Sequence, residues 1–168
     1  MMLHSTPLLK SDSSAKDFGY LKFVEEIISI HELILLDSCI LIYHIEQHPR
    51  YSHLARSALR AVSDGICRGI VSELTLMEIK TGPLRQGEIE AAGKYELLLD
   101  RFPNLSLIPI ERSILDRTAH LRAYCRLKTP DAIILATGLE RGATLALTND
   151  QDWKGVNGIQ VVCLEDFV

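Results

Sequence analysis

Short apolar runs alternate with segments of helical periodicity along most of the chain. Five such runs cover residues 33–38, 69–73, 105–110, 143–150 and 158–164. Their apolar positions are consecutive, which is typical of parallel strands buried on both faces, whereas one-sided strands alternate apolar and polar residues. Strands separated by helices build a parallel sheet that is covered on both sides. We therefore predict an α/β domain around a five-stranded parallel sheet.

The segments between the apolar runs predict six helices. Apolar spacing and turn residues place them at about residues 40–46, 52–68, 74–80, 88–101, 113–127 and 129–142. The third helix is expected to end at Gly82-Pro83, because proline interrupts the helical hydrogen-bond ladder. The last helix is expected to begin with Thr129 as its N-cap and Pro130 in its first turn.

The first 32 residues stand apart from this alternation. A polar start is followed by Phe18, Leu21, Val24 and Ile28 at helical spacing, so we predict an extension over residues 1–32 that is helical from about residue 17. The main domain then covers residues 33–168. The extra helix either packs on its own domain or covers a sheet edge or a partner subunit, and the sequence leaves both interpretations open.

Composition narrows the class of protein. Apolar residues make up 47% and charged residues 24% of the 168 residues, which is ordinary for one globular domain. The four cysteines are dispersed, and the sequence shows neither a secretory leader nor an apolar run of bilayer length. We therefore expect a cytoplasmic protein with reduced cysteines and no membrane segment. A net charge of −4 excludes a surface that is basic throughout, but it does not exclude a nucleic-acid substrate.

Acidic residues follow the strands at conspicuous positions. Asp37 ends the first apolar run, Glu78 interrupts an apolar helical turn, Asp131 opens the last helix, and Asp150 and Asp152 follow the fourth run. In a parallel α/β sheet, ligands bind beyond the carboxyl ends of the strands. A helix that leads into a parallel strand also begins at that end. The sequence therefore predicts that these carboxylates meet at one rim of the sheet.

Such a gathering of carboxylates calls for a cation. At ~4–5 Å each pair would repel by roughly 3–4 kcal/mol at an effective dielectric constant near 20. Oxygen ligands favour a hard ion, Mg²⁺ or alternatively Mn²⁺, and such a site suits phosphoryl transfer. Taken singly, each residue has a structural explanation: Asp37 and Asp150 could stabilise turns, Asp131 could complement a helix dipole, and Glu78 could be solvated.

Three segments carry these acids: LLDSCILIY, VSELTLMEIKTGPLR and LKTPDAIILATGLERGATLALTND. Together they resemble motifs of the PIN-domain family, and specifically of its small VapC-type toxin ribonucleases, over about Leu33–Val168. The resemblance implies a three-layer sandwich with strand order 3-2-1-4-5. It also implies a Mg²⁺-dependent endoribonuclease that acts as the toxin of a type II toxin–antitoxin pair. RNA is then the substrate, an antitoxin protein the partner, and a homodimer the expected assembly.

The resemblance also implies roles for individual residues. The catalytic acidic positions fall on Asp37, Glu78, Asp131 and Asp150. The implied metal ligands are Asp37, Asp131 and Asp150, with Asp152 competing for the fourth acidic place. Thr148 and Asn149 would support the site by hydrogen bonds. Cys39 departs from the family, which often has asparagine there, and a thiol is a weaker hydrogen-bond partner for an acidic cluster.

The segment before Asp131 is basic and suits the phosphates of RNA. Five basic side chains face a single acid, Asp116, in residues 112–128: Arg112, Arg117, Arg122, Arg126 and Lys128. With Arg122 and Arg126 one helical turn apart, these two and Lys128 would flank the RNA groove. The alternative is a solvated helix face with no role in RNA binding.

Other functions compete with a nuclease. Cys39 and the extension favour a weakly active or inactive PIN-like module that serves as a protein or RNA adaptor. A metal-dependent phosphatase would need a second aspartate at position 39, where the chain has cysteine. His44 and His48 have the i, i+4 spacing of a zinc pair, but Pro49 follows them directly and the acid expected after the first histidine is missing. We therefore expect a solvated histidine pair.

Overall fold

The five apolar runs form one parallel sheet, as predicted. The computed structural model describes Gly19 and residues 24–168. Its strands follow the order β3-β2-β1-β4-β5, and every neighbouring pair is parallel. This order confirms the one implied by the family resemblance. The strand bounds are Leu33–Leu36 (β1), Arg68–Ser72 (β2), Leu105–Ile108 (β3), Leu145–Thr148 (β4) and Gln160–Cys163 (β5).

Six helices connect the strands. Their bounds are Ser38–Ile45 (α1), Ser52–Ser63 (α2), Glu73–Arg85 (α3), Ile89–Asp100 (α4), Arg112–Cys125 (α5) and Thr129–Glu140 (α6). Because alternate residues of a strand point to opposite faces of the sheet, β1 and β4 each contribute to two separate cores. Helices α1–α4 pack on one face and α5 and α6 on the other, so the fold is a three-layer sandwich.

Three predicted helix boundaries were wrong for local reasons. Helix α2 ends before Arg68 because Gly65 adopts a φ of +75° and Ile66 N–H donates to Ala61 O at 2.9 Å, a common helix stop. Helix α3 continues through Gly82-Pro83 to Arg85, since a proline in the last turn removes only one hydrogen bond. The N-cap of α6 is Lys128 rather than Thr129, and no side chain caps it.

The described part of the extension packs on its own domain. Residues 24–29 are helical, and Val24 and Ile28 are fully buried in the core shared with α1 and α2. Phe18 and Leu21, which complete the predicted apolar stripe, lie outside the described residues. Among the residues that the structure describes, no helix is long and apolar enough to span a bilayer.

All four cysteines are free thiols, and their exposure differs. Cys67 and Cys163 are buried and Cys39 is half-buried, as expected, whereas Cys125 at the end of α5 is exposed. Burial raises the pKa of Cys67 to about 11. Cys67 and Cys163 therefore behave as small apolar groups inside the domain.

Gly138 brings α6 close to the strand that carries Asp37. A Cβ atom at this position would lie 2.7 Å from Leu35 Cδ2. We therefore expect Gly138→Ala to destabilise the fold by about 1–3 kcal/mol, the usual range for overpacking. Gly93, in α4, has no atom within 4 Å of the same hypothetical Cβ. As the control, Gly93→Ala should stabilise the protein by roughly 0.5–1 kcal/mol, and urea unfolding of both variants would measure the difference.

Candidate active site

Asp37 lies at the junction of β1 and β4. It follows β1 directly, and its N–H donates to Leu147 O at 3.0 Å. Leu36 is paired with Leu147, so the end of β1 faces Thr148 at the end of β4. Thr148 Oγ1 donates to Asp37 Oδ2 at 2.6 Å. The neighbouring strands therefore fix the carboxylate at the carboxyl end of the sheet, as predicted.

Asp37 is buried, with only 9% of the residue exposed. Burial raises its pKa, and the charge of Asp131 raises it further, while hydrogen bonds from Thr148 and Cys39 act in the opposite direction. Cys39 Sγ donates to the same Oδ2 atom at 3.2 Å. Burial and the adjacent Asp37 charge raise the pKa of Cys39, so this residue remains a thiol donor. The cysteine thus replaces the asparagine of the family pattern with a working hydrogen-bond donor.

Glu78 reaches the same rim from α3. Ser72, the last residue of β2, caps this helix by accepting the Leu74 N–H at 3.3 Å, which fixes where the helix begins. The pKa of Glu78 is raised mainly by burial and also by the Asp37 charge, and a hydrogen bond with Ser38 partly offsets this. Ser38 Oγ also lies 2.9 Å from Thr75 Oγ1. The start of α1 therefore holds α3 in register with Asp37.

Asp131 occupies the first turn of α6 and is half-buried. Burial raises its pKa, and the charges of Asp150, Glu78 and Asp152 raise it further, while Lys128 lowers it. The repulsion between carboxylates that the sequence predicts is therefore present in the folded protein. Helix α6 contributes the positive end of its dipole at the same place.

Asp150 and Asp152 have different positions in the turn after β4. Asp150 is half-buried, and its Oδ1 accepts the Asp152 N–H at 2.9 Å. This bond caps the short 3-10 helix Gln151–Trp153. Asp152 is exposed. Of the two competing residues, only Asp150 lines the cleft that contains the other acids, although the charges of both raise the pKa of Asp131.

One open cleft of about 770 Å³ unites four of the predicted acids: Asp37, Glu78, Asp131 and Asp150 line it, and Asp152 does not. In the present side-chain conformations, no three His, Cys, Asp or Glu residues within the described part of the chain are close enough to bind one metal ion together. The set nevertheless fits a hard divalent cation, because all donors are oxygens and burial and mutual repulsion raise the pKa of three of them. A cation would relieve this repulsion once the side chains turn toward it.

The two supporting residues bond to the site in different ways. Thr148 holds Asp37 and also accepts the Asp150 N–H at 3.0 Å. Asn149 Nδ2 donates to Tyr43 OH at 3.3 Å, and its Oδ1 accepts the Glu165 N–H at 2.7 Å. Asn149 therefore links the acidic rim to α1 and to the C-terminal turn.

The basic residues before Asp131 lie outside the cleft. Arg122, Arg126 and Lys128 are exposed and do not line it. Arg122 lies in the last turn of α5, which ends at Cys125, and Arg126 is its C-cap residue with a left-handed φ of 57°. Lys128 is still close enough to Asp131 to lower its pKa. Arg117 forms an ion pair with Glu140.

Arg85 and Tyr43 are among the cleft residues that sequence reasoning missed. Arg85 lies seven positions after Glu78, so the two share one face of α3. This spacing from Glu78 could have identified Arg85 from the sequence as a cleft residue. Tyr43 packs against His48 at 4.8 Å between ring centroids, which places His48 in an aromatic cluster rather than beside a zinc ion. The Nδ1 atom of His44 is buried without a partner among the described residues.

Comparisons with known proteins agree with this architecture. The family model described as PIN domain matches residues 34–159. A toxin–antitoxin complex from Klebsiella pneumoniae contains a chain with 27% sequence identity and a TM-score of 0.60; the match covers 79% of this chain and 96% of that one. No match was found among curated proteins.

Two further structures are similar in fold. VapBC2 from Rickettsia felis, bound to a DNA fragment from its promoter, matches with a TM-score of 0.62 and 17% identity, covering 78% of this chain and 98% of that chain. DNA-bound VapBC from Salmonella typhimurium matches with a TM-score of 0.60 and 19% identity, covering 79% and 98%. Since the family model spans well over half of the residues and the sheet order agrees, the chain belongs to the PIN domain family.

Proposed function

We propose that this protein is a Mg²⁺-dependent endoribonuclease of the VapC type, the toxin of a toxin–antitoxin pair. The observation that carries the proposal is the convergence of Asp37, Glu78, Asp131 and Asp150 on one cleft at the carboxyl end of the sheet. These residues come from four separate segments of the chain. Packing of the apolar cores does not require four acids at one place, whereas a site for a divalent cation does.

The four carboxylates would have two roles, metal binding and activation of water. Asp37, Asp131 and Asp150 would hold Mg²⁺, or alternatively Mn²⁺, which when bound supplies positive charge to the phosphate oxygens and acidifies water. Thr148 and Cys39 both donate to Asp37 Oδ2, which would orient this carboxylate toward the cation. Glu78, whose pKa is raised by burial, would orient the attacking water and accept its proton. The water oxygen would form a bond to phosphorus as the P–O3′ bond breaks, and the leaving 3′ oxygen would take a proton from solvent, so the products would carry a 5′ phosphate and a 3′ hydroxyl.

The partners follow from the structural neighbours, which are toxin–antitoxin complexes. An antitoxin protein would hold this chain inactive, and the active form would be a homodimer. Arg122, Arg126 and Lys128 would contact RNA phosphates that extend beyond the cleft. Their exposure and the position of Lys128 next to the Asp131 helix support this role.

RNA cleavage in the presence and absence of Mg²⁺ tests the proposal. The protein is expected to cleave RNA with Mg²⁺ or Mn²⁺ and to lose this activity in EDTA. Asp131→Asn should reduce the cleavage rate more than about a hundredfold, because even residues that only support metal ligands typically contribute 10–100-fold. Gel separation of a labelled RNA would give the rates.

A matched control uses an acid at the opposite end of the sheet. Asp64 is exposed after α2, in the loop that enters β2, so Asp64→Asn removes the same charge without touching the cleft. We expect it to cleave RNA like the wild type. Equal activity of Asp131→Asn would reject the assigned site. Failure of Mg²⁺ to bind or to raise the melting temperature would favour the adaptor module instead.

A further inference from the structure

The cleft extends beyond the carboxylates between α1 and α3. Helix α1 lines it with Ile42 and Tyr43, and helix α3 lines it with Met77, Thr81 and Arg85. Arg85 lies seven residues after Glu78, about 10 Å along the helix axis. At roughly 3.4 Å per stacked nucleotide, a strand would cross that distance in about three nucleotides. The cleft is therefore longer than a metal site alone requires.

Arg85 carries the positive charge of this cleft. Four of the lining residues are acids, so a polyanion needs a cation there to offset their repulsion. None of the ion pairs within residues 24–168 involves Arg85, and its side chain is exposed. The pKa of Glu78 on the same helix is shifted by burial, Ser38 and Asp37 rather than by Arg85. The guanidinium group is thus free to bind a ligand.

Tyr43 supplies a fixed aromatic ring on the α1 side. Its ring centroid lies 4.9 Å from that of Tyr51 and 4.8 Å from that of His48. Its hydroxyl group accepts the Asn149 amide N–H at 3.3 Å. The ring is therefore held from two sides next to the residue that precedes Asp150. Met77, which is 55% exposed, adds apolar surface on the α3 side.

Resting on the proposed function, we infer that Arg85 and Tyr43 form a binding subsite for the RNA strand beside the carboxylates. Arg85 binds a backbone phosphate through its planar guanidinium group. Tyr43 stacks on a base that the strand presents near the scissile bond, as aromatic side chains do with unpaired bases. The two contacts position the substrate, while the carboxylates carry the reaction.

Binding and cleavage by matched variants test this subsite. In an Asp131→Asn background, fluorescence anisotropy with a short labelled RNA in Mg²⁺ should show about tenfold weaker binding for Arg85→Ala. The slope of log K against log salt should fall by about 0.7, as expected for one lost phosphate contact on a single strand. Tyr43→Leu should also weaken binding about tenfold and reduce the quenching of a 2-aminopurine base in the RNA. In the active protein, both changes should raise KM and leave kcat within about twofold.

Two controls show whether a change in RNA binding comes from the subsite rather than from unfolding or from the loss of one positive charge. Tyr43→Phe removes the bond from Asn149 but keeps the ring and its packing on Tyr51 and His48, so it should retain most of the binding that Tyr43→Leu loses. Equal melting temperatures would exclude unfolding of Tyr43→Leu. Arg60→Ala removes an exposed arginine from the far end of α2 and should have no effect. Unchanged RNA binding by Arg85→Ala and Tyr43→Leu would overturn the inference. If the wild type binds RNA through Arg85 without cleaving it, the subsite stands and the nuclease proposal fails.

Discussion

Replacing Asp37 by asparagine is expected to abolish RNA cleavage and, in the absence of divalent ions, to raise the melting temperature at neutral pH. Asparagine keeps a carbonyl oxygen that can accept the bonds from Thr148 and Cys39. It removes a buried negative charge that lies near Asp131. The loss of cleavage should exceed about a hundredfold, since the metal loses a direct ligand. The melting temperature should rise by a few degrees, because about 1 kcal/mol corresponds to roughly 2–4 °C in a domain of this size.

The increase in melting temperature caused by Asp37→Asn should depend on pH, and its direction follows from the pKa shift of Asp37. Burial raises the pKa of Asp37 above its ordinary value of 3.8. Below that ordinary value the carboxyl group is protonated in both the folded and unfolded states, so the substitution removes no charge. As the pH rises through the raised pKa, the folded wild type must ionise a buried group and loses stability. The stability of Asp37→Asn relative to the wild type should therefore be highest at neutral pH, and the difference should disappear below the ordinary pKa of the carboxyl group.

Calorimetry across pH, with and without Mg²⁺, would measure both effects. Mg²⁺ should stabilise the wild type more than Asp37→Asn, because only the wild type retains the full set of ligands. Asp64→Asn is the matched control, and its melting temperature should equal that of the wild type across pH, both with and without Mg²⁺. A lower melting temperature of metal-free Asp37→Asn at neutral pH would contradict the view that the carboxylate is held against its own electrostatic cost.

Among the substitutions considered, Trp153→Ala is expected to lower the free energy of unfolding most, by about 3–5 kcal/mol. Trp153 is fully buried in the core between the sheet and the α5–α6 layer. It ends the 3-10 helix whose N-cap is Asp150. Removing the indole should therefore also loosen the turn that positions Asp150, and cleavage should fall even at temperatures where the protein remains folded.

Trp153→Phe separates aromatic packing from the indole N–H. The Nε1 atom is buried and has no hydrogen-bond partner among the described residues, so its removal relieves an unsatisfied donor. We expect a cost of less than half that of Trp153→Ala, with near-normal cleavage. Urea unfolding of both variants, together with RNA cleavage rates, would test this. Equal destabilisation by the two substitutions would contradict the assignment of the N–H as unpaired.

The direction of the strands explains why the acidic cluster could be predicted. Asp37 and Asp150 follow parallel strands, and Asp131 begins a helix that leads into one, so chain direction alone places all three at the same rim. Glu78 follows from the apolar pattern around it, since a charge within an apolar helical turn needs a local reason. These arguments use only the order of elements along the chain.

Other features depend on packing that the order of elements does not determine. Arg85 reaches the cleft because α3 continues past Pro83 and because α1 packs beside it, which together place Arg85 across from Tyr43. The choice between Asp150 and Asp152 depends on one turn, in which Asp150 caps the 3-10 helix and Asp152 points to solvent. Likewise, the position at which α5 ends depends on local packing, and the structure ends it at Cys125 with Arg126 as a left-handed C-cap.

The placement of Asp37 and its partner Thr148 on separate strands has a consequence for synthesis of the protein. Residue 148 emerges from the ribosome long after residue 37, and β4 must pair with β1 before the hydroxyl group can hold the carboxylate. A nascent chain that has not yet reached β4 therefore lacks the hydroxyl group that holds Asp37 and lacks Asp150 as well, so the four acids can converge on the cleft only after both segments have been synthesised.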